Sequence, residues 1–187
     1  MMNMWFTKYL HGQNNEVEKL ADAWIVPKGK NEAKPYSAFP NPKAKALRFY
    51  PQSENANTGN LSRDKKAGKT LSFVDNASLK AANLSVYLIA VPKNYNPKKL
   101  KLEDILVNRA WADPQNHRSL EKGEALQPGT FYDLTFNFQP DDQIIPAGHQ
   151  LGLLIFSSDP DFTLHPKKGT QVSLNLGETW LELMVVE

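Results

Sequence analysis

The sequence predicts a mainly β fold, an antiparallel β-sandwich of jelly-roll type with one short helix at its N-terminus. Three observations lead there. About nine short segments carry the period-2 or all-apolar patterns of strands. The 13 prolines and 10 glycines of the 187 residues fall largely between those segments. Helical periodicity is confined to the first dozen positions.

That helix is read from Trp5, Phe6, Tyr9 and Leu10, which share one face at i, i+1, i+4 and i+5 spacing, with Gly12 placed as a C-cap. Residues 3–11 are therefore expected to be an amphipathic helix, and nine residues hold a helix only when its apolar face finds a partner. β-type signals begin at "AWIVP" (23–27) and continue in "KALRFY" (45–50). The polar stretch 51–69 reads as a long loop. "TLSFV" (70–74) alternates. "NLSVYLIAV" (83–91) is apolar on both faces, with Leu84, Val86, Leu88 and Ala90 opposite Tyr87, Ile89 and Val91, as expected of a central strand.

Further strands are expected at "ILVNRAWA" (105–112), "FYDLTFNF" (131–138), "LGLLIFSS" (151–158), "TQVSLNL" (170–176) and "WLELMVV" (180–186). In 131–138 the alternation turns Tyr132, Leu134, Phe136 and Phe138 towards a core. In 170–176 it turns Val172, Leu174 and Leu176 inward.

Composition narrows the function classes. With no cysteine, disulfides, thiolate nucleophiles and thiolate metal sites are excluded. A net charge of +2 with scattered lysines lacks the footprint of a nucleic-acid binder. No apolar run approaches the length of a membrane span, so neither nucleic acid nor membrane is expected as a partner. The first residues lack the basic stretch and cleavage site of a signal peptide, which favours a cytoplasmic setting over a secreted one.

One segment invites a catalytic reading. "IFSSDPDFTLHPKKGT" (155–170) holds Ser157, Ser158, Asp159, Asp161 and His165 in the order of a hydrolase triad. A triad serine needs a base within reach and an oxyanion hole, and in α/β-hydrolases it stands on a G-x-S-x-G elbow. The chain contains no such elbow, so the segment reads as a turn between two strands. His11, His117, His149 and His165 are dispersed without H-x-x-x-H or H-E-x-x-H spacing, and no zinc site is expected. Asp141–Asp142 and Asp159/Asp161 could lend carboxylates to calcium, but paired loop aspartates are ordinary turn formers. No cofactor is expected. Trp24, Trp111 and Trp180 lie in expected strands, where burial competes with a sugar-stacking role.

An ordered set of segments resembles a known family. "AANLSVYL" (81–88), "RAWADPQN" (109–116), "FYDLTF…QP" (131–140), "IPAGHQLGL" (145–153) and "SSDPDFTLHP" (157–166) are similar to the C-terminal, non-catalytic β-sandwich of Xaa-Pro dipeptidyl-peptidases and related cocaine-esterase-type α/β-hydrolases. The resemblance implies a galactose-binding-domain-like jelly roll over residues 21–187. Residues 1–20 would be the last helix and linker of an upstream hydrolase domain, with Trp5, Phe6 and Tyr9 as the interdomain contact. It also implies that the catalytic serine, aspartate and histidine lie upstream. His11 falls beyond the expected place of that histidine, and no catalytic residue can be carried onto this chain.

The parent would be a serine hydrolase releasing Xaa-Pro dipeptides from peptide N-termini, its partner domain being the catalytic α/β-hydrolase of the same chain. The alternatives are the accessory domain of a related ester or acyl hydrolase, or an independent carbohydrate-binding jelly roll. One departure from the family is a shortened connection between "SFVDN" (72–76) and "AANLSVYL" (81–88), where further strands are expected. An edge left open there would favour a homodimer.

Overall fold

The structure, a computed structural model, describes residues 2–26, 30–53, 55, 58–75, 83–157, 159–163 and 170–186, with the backbone alone at 71–75 and 97. It is mainly antiparallel β with few helices, and it divides into two compact units. One comprises residues 1–47, 142–144 and 183–187; the other comprises 48–141 and 145–182.

In the first unit, helix α1 (Met2–Tyr9) ends as its sequence demands. Gly12 takes φ +65°, a left-handed conformation that costs glycine nothing, and its N–H reaches Lys8 O at 2.9 Å. The chain then turns through a 3-10 segment at Val17–Lys19, which folds back on the helix. Lys8 Nζ meets Glu18 Oε2 at 2.7 Å, and Asn15 Nδ2 donates to Met4 O at 2.7 Å. Strands β1 (Ala23–Ile25) and β2 (Lys34–Tyr36) form a short ladder pairing Trp24 with Pro35. Sequence reading missed β2 because a proline at its centre removes a ladder donor and argues against a strand.

The second unit is built around one strand. β3 (Lys45–Gln52) pairs β4 (Asn60–Ser62), which lies inside the stretch expected to be loop. β5 (Thr70–Asp75) pairs antiparallel with β9 (Thr170–Asn175) over six positions. Beyond the start of β5, Gly68 lies against Gly177 so closely that a Cβ on Gly68 would overlap the Gly177 nitrogen. β6 (Leu84–Pro92) is flanked by β7 (Leu106–Ala112) and β8 (His149–Phe156). Every residue of β6 from Leu84 to Val91 is buried, so the two-faced apolar pattern does mark a central strand.

Tyr87, Ile89 and Val91 pack with Ile105 on one face, joined by Leu100, Leu106 and Phe156. Ile105 ends α2 (Leu102–Ile105), a single turn leading into β7 that was too short to show periodicity. β10 (Leu181–Val185) alternates as expected, with Leu181 buried and Glu182 out. Arg48 Nε binds Glu182 Oε2 at 2.8 Å.

Residues 131–138 depart from expectation. Their burial alternates in the expected phase, with Tyr132, Leu134, Phe136 and Phe138 the less exposed set, yet the segment forms no strand. Alternation reports which side faces the protein; a ladder also needs a neighbour at hydrogen-bonding distance. Just beyond this stretch the chain bonds to β7, where Gln139 N donates to Arg109 O at 3.3 Å and Asn108 Nδ2 donates to Gln139 O at 2.7 Å.

Candidate functional site

Within the segment of triad composition, residues 159–163 form a turn strapped to the central sheet. Asp159 O accepts from Phe162 N (3.0 Å), Thr163 N (2.7 Å) and Thr163 Oγ1 (3.0 Å), closing residues 159–163 on themselves. The Asp159 side chain points inward, and the residue is only 4% exposed. Its Oδ2 accepts from the Tyr87 hydroxyl at 2.6 Å and from Trp111 Nε1 at 2.9 Å. One buried carboxylate therefore ties the turn to β6 and to β7.

The strand register explains why these side chains converge. Directly opposed residues in an antiparallel ladder share a face. Ser85 lies opposite Trp111 and Phe156, and Tyr87 lies opposite Arg109 and Leu154. The turn covers this face: Phe162 stacks on Trp111 at 5.2 Å, and the Arg109 guanidinium carbon lies 4.6 Å from the Phe162 ring centroid and 5.2 Å from that of Tyr87. Phe156 meets Tyr87 edge-on at 4.8 Å.

Ser157 is 2% exposed at the end of β8, and Asp161 is exposed on the turn. Ser158 and His165 lie outside the described residues. The Asp159 carboxylate is engaged by a phenol and an indole, an arrangement that anchors a loop. Sequence reading identified the turn but not its anchor. The available signal was Tyr87 itself: a tyrosine at a core position of a buried strand needs a partner for its hydroxyl.

Burial first, and then the hydrogen bond to Asp159, push the Tyr87 hydroxyl up to about 12. The neutral phenol is thus the form the fold holds. In the unfolded chain it ionises near its ordinary value, so between roughly pH 10 and 12 the unfolded state loses a proton that the native state keeps. Stability contributed by this group is complete below pH 10 and is lost as pH rises through 12, by an expected ~2 kcal/mol. Urea unfolding at pH 9 and pH 11.5 checks this, with Tyr87→Phe expected to flatten the alkaline loss. An equal loss in both proteins would contradict it.

The other sequence candidates are scattered. Tyr36 donates to the Asp142 carboxylate, which raises the pKa of the phenol. Among the described residues no three His, Asp or Glu side chains gather as a metal site, and no helix is long and apolar enough to cross a membrane. Trp111 is half-buried in the Asp159 network, whereas Trp24 and Trp180 are partly exposed, Trp180 with Arg48 over its ring at 5.5 Å.

The aromatic residues of α1 form an outward face. Trp5, Phe6 and Tyr9 are 50%, 43% and 51% exposed, and the Trp5 ring lies 4.8 Å from that of Tyr9 and 5.6 Å from that of Phe6. The less exposed side of the helix holds Met4, Thr7 and Lys8. This inverts the usual amphipathic order, in which the apolar stripe is the covered one.

Comparison with known proteins agrees with this architecture. Residues 74–186 match the model of the X-Pro dipeptidyl-peptidase C-terminal non-catalytic domain. A putative Xaa-Pro dipeptidyl-peptidase of Rhodopirellula baltica is 37% identical over 231 aligned positions, covering all of this chain and 37% of that protein. One from Bacillus anthracis is 32% identical, covering 97% of this chain and 36% of its own length. The chain thus spans little more than a third of these relatives. A CocE/NonD family hydrolase from Staphylococcus aureus superposes with a TM-score of 0.57 at 14% identity, over 99% of this chain and 45% of that one, a likeness of fold. The chain belongs to the family of X-Pro dipeptidyl-peptidase C-terminal non-catalytic domains.

Proposed function

We propose that the chain is the accessory C-terminal domain of a longer serine hydrolase that releases Xaa-Pro dipeptides from peptide N-termini, and that it packs on the catalytic domain of that protein. The observation that carries this reading is the outward aromatic face of α1. Three aromatic side chains on one exposed helical face amount to a contact surface without its partner. Relatives nearly three times as long supply a chain in which such a partner would precede the helix. In this reading residues 1–20 close the catalytic domain and residues 21–187 form the sandwich, with Trp5, Phe6 and Tyr9 at the junction.

The test is the longer polypeptide itself, detected by antibody to this chain and assayed on Xaa-Pro amides. Release of Xaa-Pro dipeptide supports the proposal; hydrolysis of simple esters alone would move the domain to a related acyl hydrolase. For the 187-residue chain alone, Trp5→Ser with Phe6→Ser is expected to lower hydrophobic-dye binding several-fold, with stability changed by no more than about 0.5 kcal/mol. Unchanged dye binding would remove the α1 face as the docking surface.

A further inference from the structure

The Asp159 network leaves one strong group unused. Arg109 stands in the middle of β7 with its guanidinium against the rings of Tyr87 and Phe162. Its Nε is buried and, among the described residues, has no hydrogen-bond partner. Among the described residues no carboxylate pairs with it. Asp159, the buried acid of this face, already serves Tyr87 and Trp111 through Oδ2. Residues 158 and 164–169, which flank the turn in sequence, are Ser, Leu, His, Pro, Lys, Lys and Gly, and none bears an acid.

An arginine held against two aromatic rings keeps its planar fork in a narrow range of orientations, so little side-chain entropy remains to be lost when an anion binds. The rings are themselves fixed, Tyr87 by Asp159 and Phe156, Phe162 by Trp111 and by the closed turn. Phe162 and Leu154 remain partly exposed on the same face, giving the cation an apolar rim. A half-buried rim strengthens a charge-assisted bond relative to open solvent.

We infer that Arg109 is a carboxylate-receiving site at the rim of the β7-β6-β8 face that the 159–163 turn covers. The shared chemistry is a carboxylate, whether an acidic side chain brought by a neighbouring domain of the longer protein or a free carboxylic acid. The free-acid source stands on this chain alone, and the neighbouring-domain source rests on the longer protein proposed above.

The experiment is a side-chain NMR titration of the 187-residue chain, with acetate replacing chloride at constant ionic strength. The Arg109 Nε–H signal and the Trp111 indole N–H are expected to shift saturably, while Arg118, already beside Glu124, does not. Arg109→Lys, which identifies the signal, is expected to weaken acetate binding at least about tenfold, because an ammonium cannot offer the stacked fork. An Arg109 shift that is linear in acetate, or no larger than that of Arg118, overturns the proposal in the wild type without recourse to any variant. In the longer polypeptide, an Arg109 signal already displaced and insensitive to acetate assigns the carboxylate to the neighbouring domain. A signal that still responds assigns it to a soluble acid. One that is neither displaced nor responsive overturns the proposal there.

Discussion

Replacing Asp159 by alanine is expected to cost about 3–5 kcal/mol of folding stability. Two donors lose their acceptor at once, the buried Tyr87 hydroxyl and the half-buried Trp111 Nε1. Each unsatisfied donor carries a desolvation penalty of about 1–3 kcal/mol. The turn closure at Asp159 O is a backbone interaction and survives, so the loss falls on the strap and leaves the turn itself intact. Asp159→Asn keeps an oxygen and is expected to lose roughly half as much. Tyr87→Phe removes a donor together with its need for a partner, and about 1 kcal/mol is expected. Urea unfolding followed by far-UV circular dichroism separates the three. If Asp159→Ala lay within 1 kcal/mol of wild type, the carboxylate would not be holding the turn. A double-mutant cycle between Asp159 and Tyr87 should then return a coupling near zero.

The second large effect is expected at a residue with no side chain. An alanine Cβ at Gly68 would overlap the Gly177 nitrogen and come within 2.5 Å of the Leu176 carbonyl carbon and 2.6 Å of Gly177 Cα. These are backbone atoms of the turn that follows β9, and they cannot rotate away. That turn is pinned by Leu176 N donating to Lys69 O at 3.2 Å and by Thr179 Oγ1 donating to Asn175 O at 2.8 Å. Accommodation must separate the two chains where β5 begins, and a loss of about 3 kcal/mol is expected, the upper end for overpacking. The reverse substitution is a control. A Cβ at Gly177 meets Gly68 N only at 3.1 Å and Asn175 Oδ1 at 3.4 Å, so Gly177→Ala should cost less than about 1 kcal/mol. Thermal melts of the two variants side by side test the asymmetry; equal melting temperatures would refute it.

Whether an element could be read from the sequence depended on its length and on burial. β6 was legible because both of its faces are apolar, and α1 because its stripe and Gly12 agree. β2 and β4 span three residues each, fewer than a period-2 pattern needs to declare itself. At 131–138 the periodicity was right and the pairing was not, since side-chain alternation carries no record of what lies along the backbone edge. The turn at 159–163 could be recognised from Asp159–Pro160, whereas its anchoring could not. Tyr87 and Asp159 are 72 positions apart, and nothing local to either names the other. The outward face of α1 was visible as a stripe; its exposure became evident only once Lys8 and Asn15 were seen to secure the opposite side.

The pairing of β6 has a consequence for the order in which the chain can acquire its structure. β7 follows β6 after a connection of residues 93–105, far nearer in sequence than β8, so that pair can close first. β8 contributes the other flank only at His149–Phe156, and β5 must wait for Thr170–Asn175. Long-range closures of this kind slow folding, because loop entropy is lost before contacts compensate. During synthesis, at roughly 5–20 residues per second, β6 would spend several seconds outside the ribosome with one backbone edge unpaired. For that interval the residues that later form the core are the ones most open to aggregation, and β8 is the strand that ends the exposure.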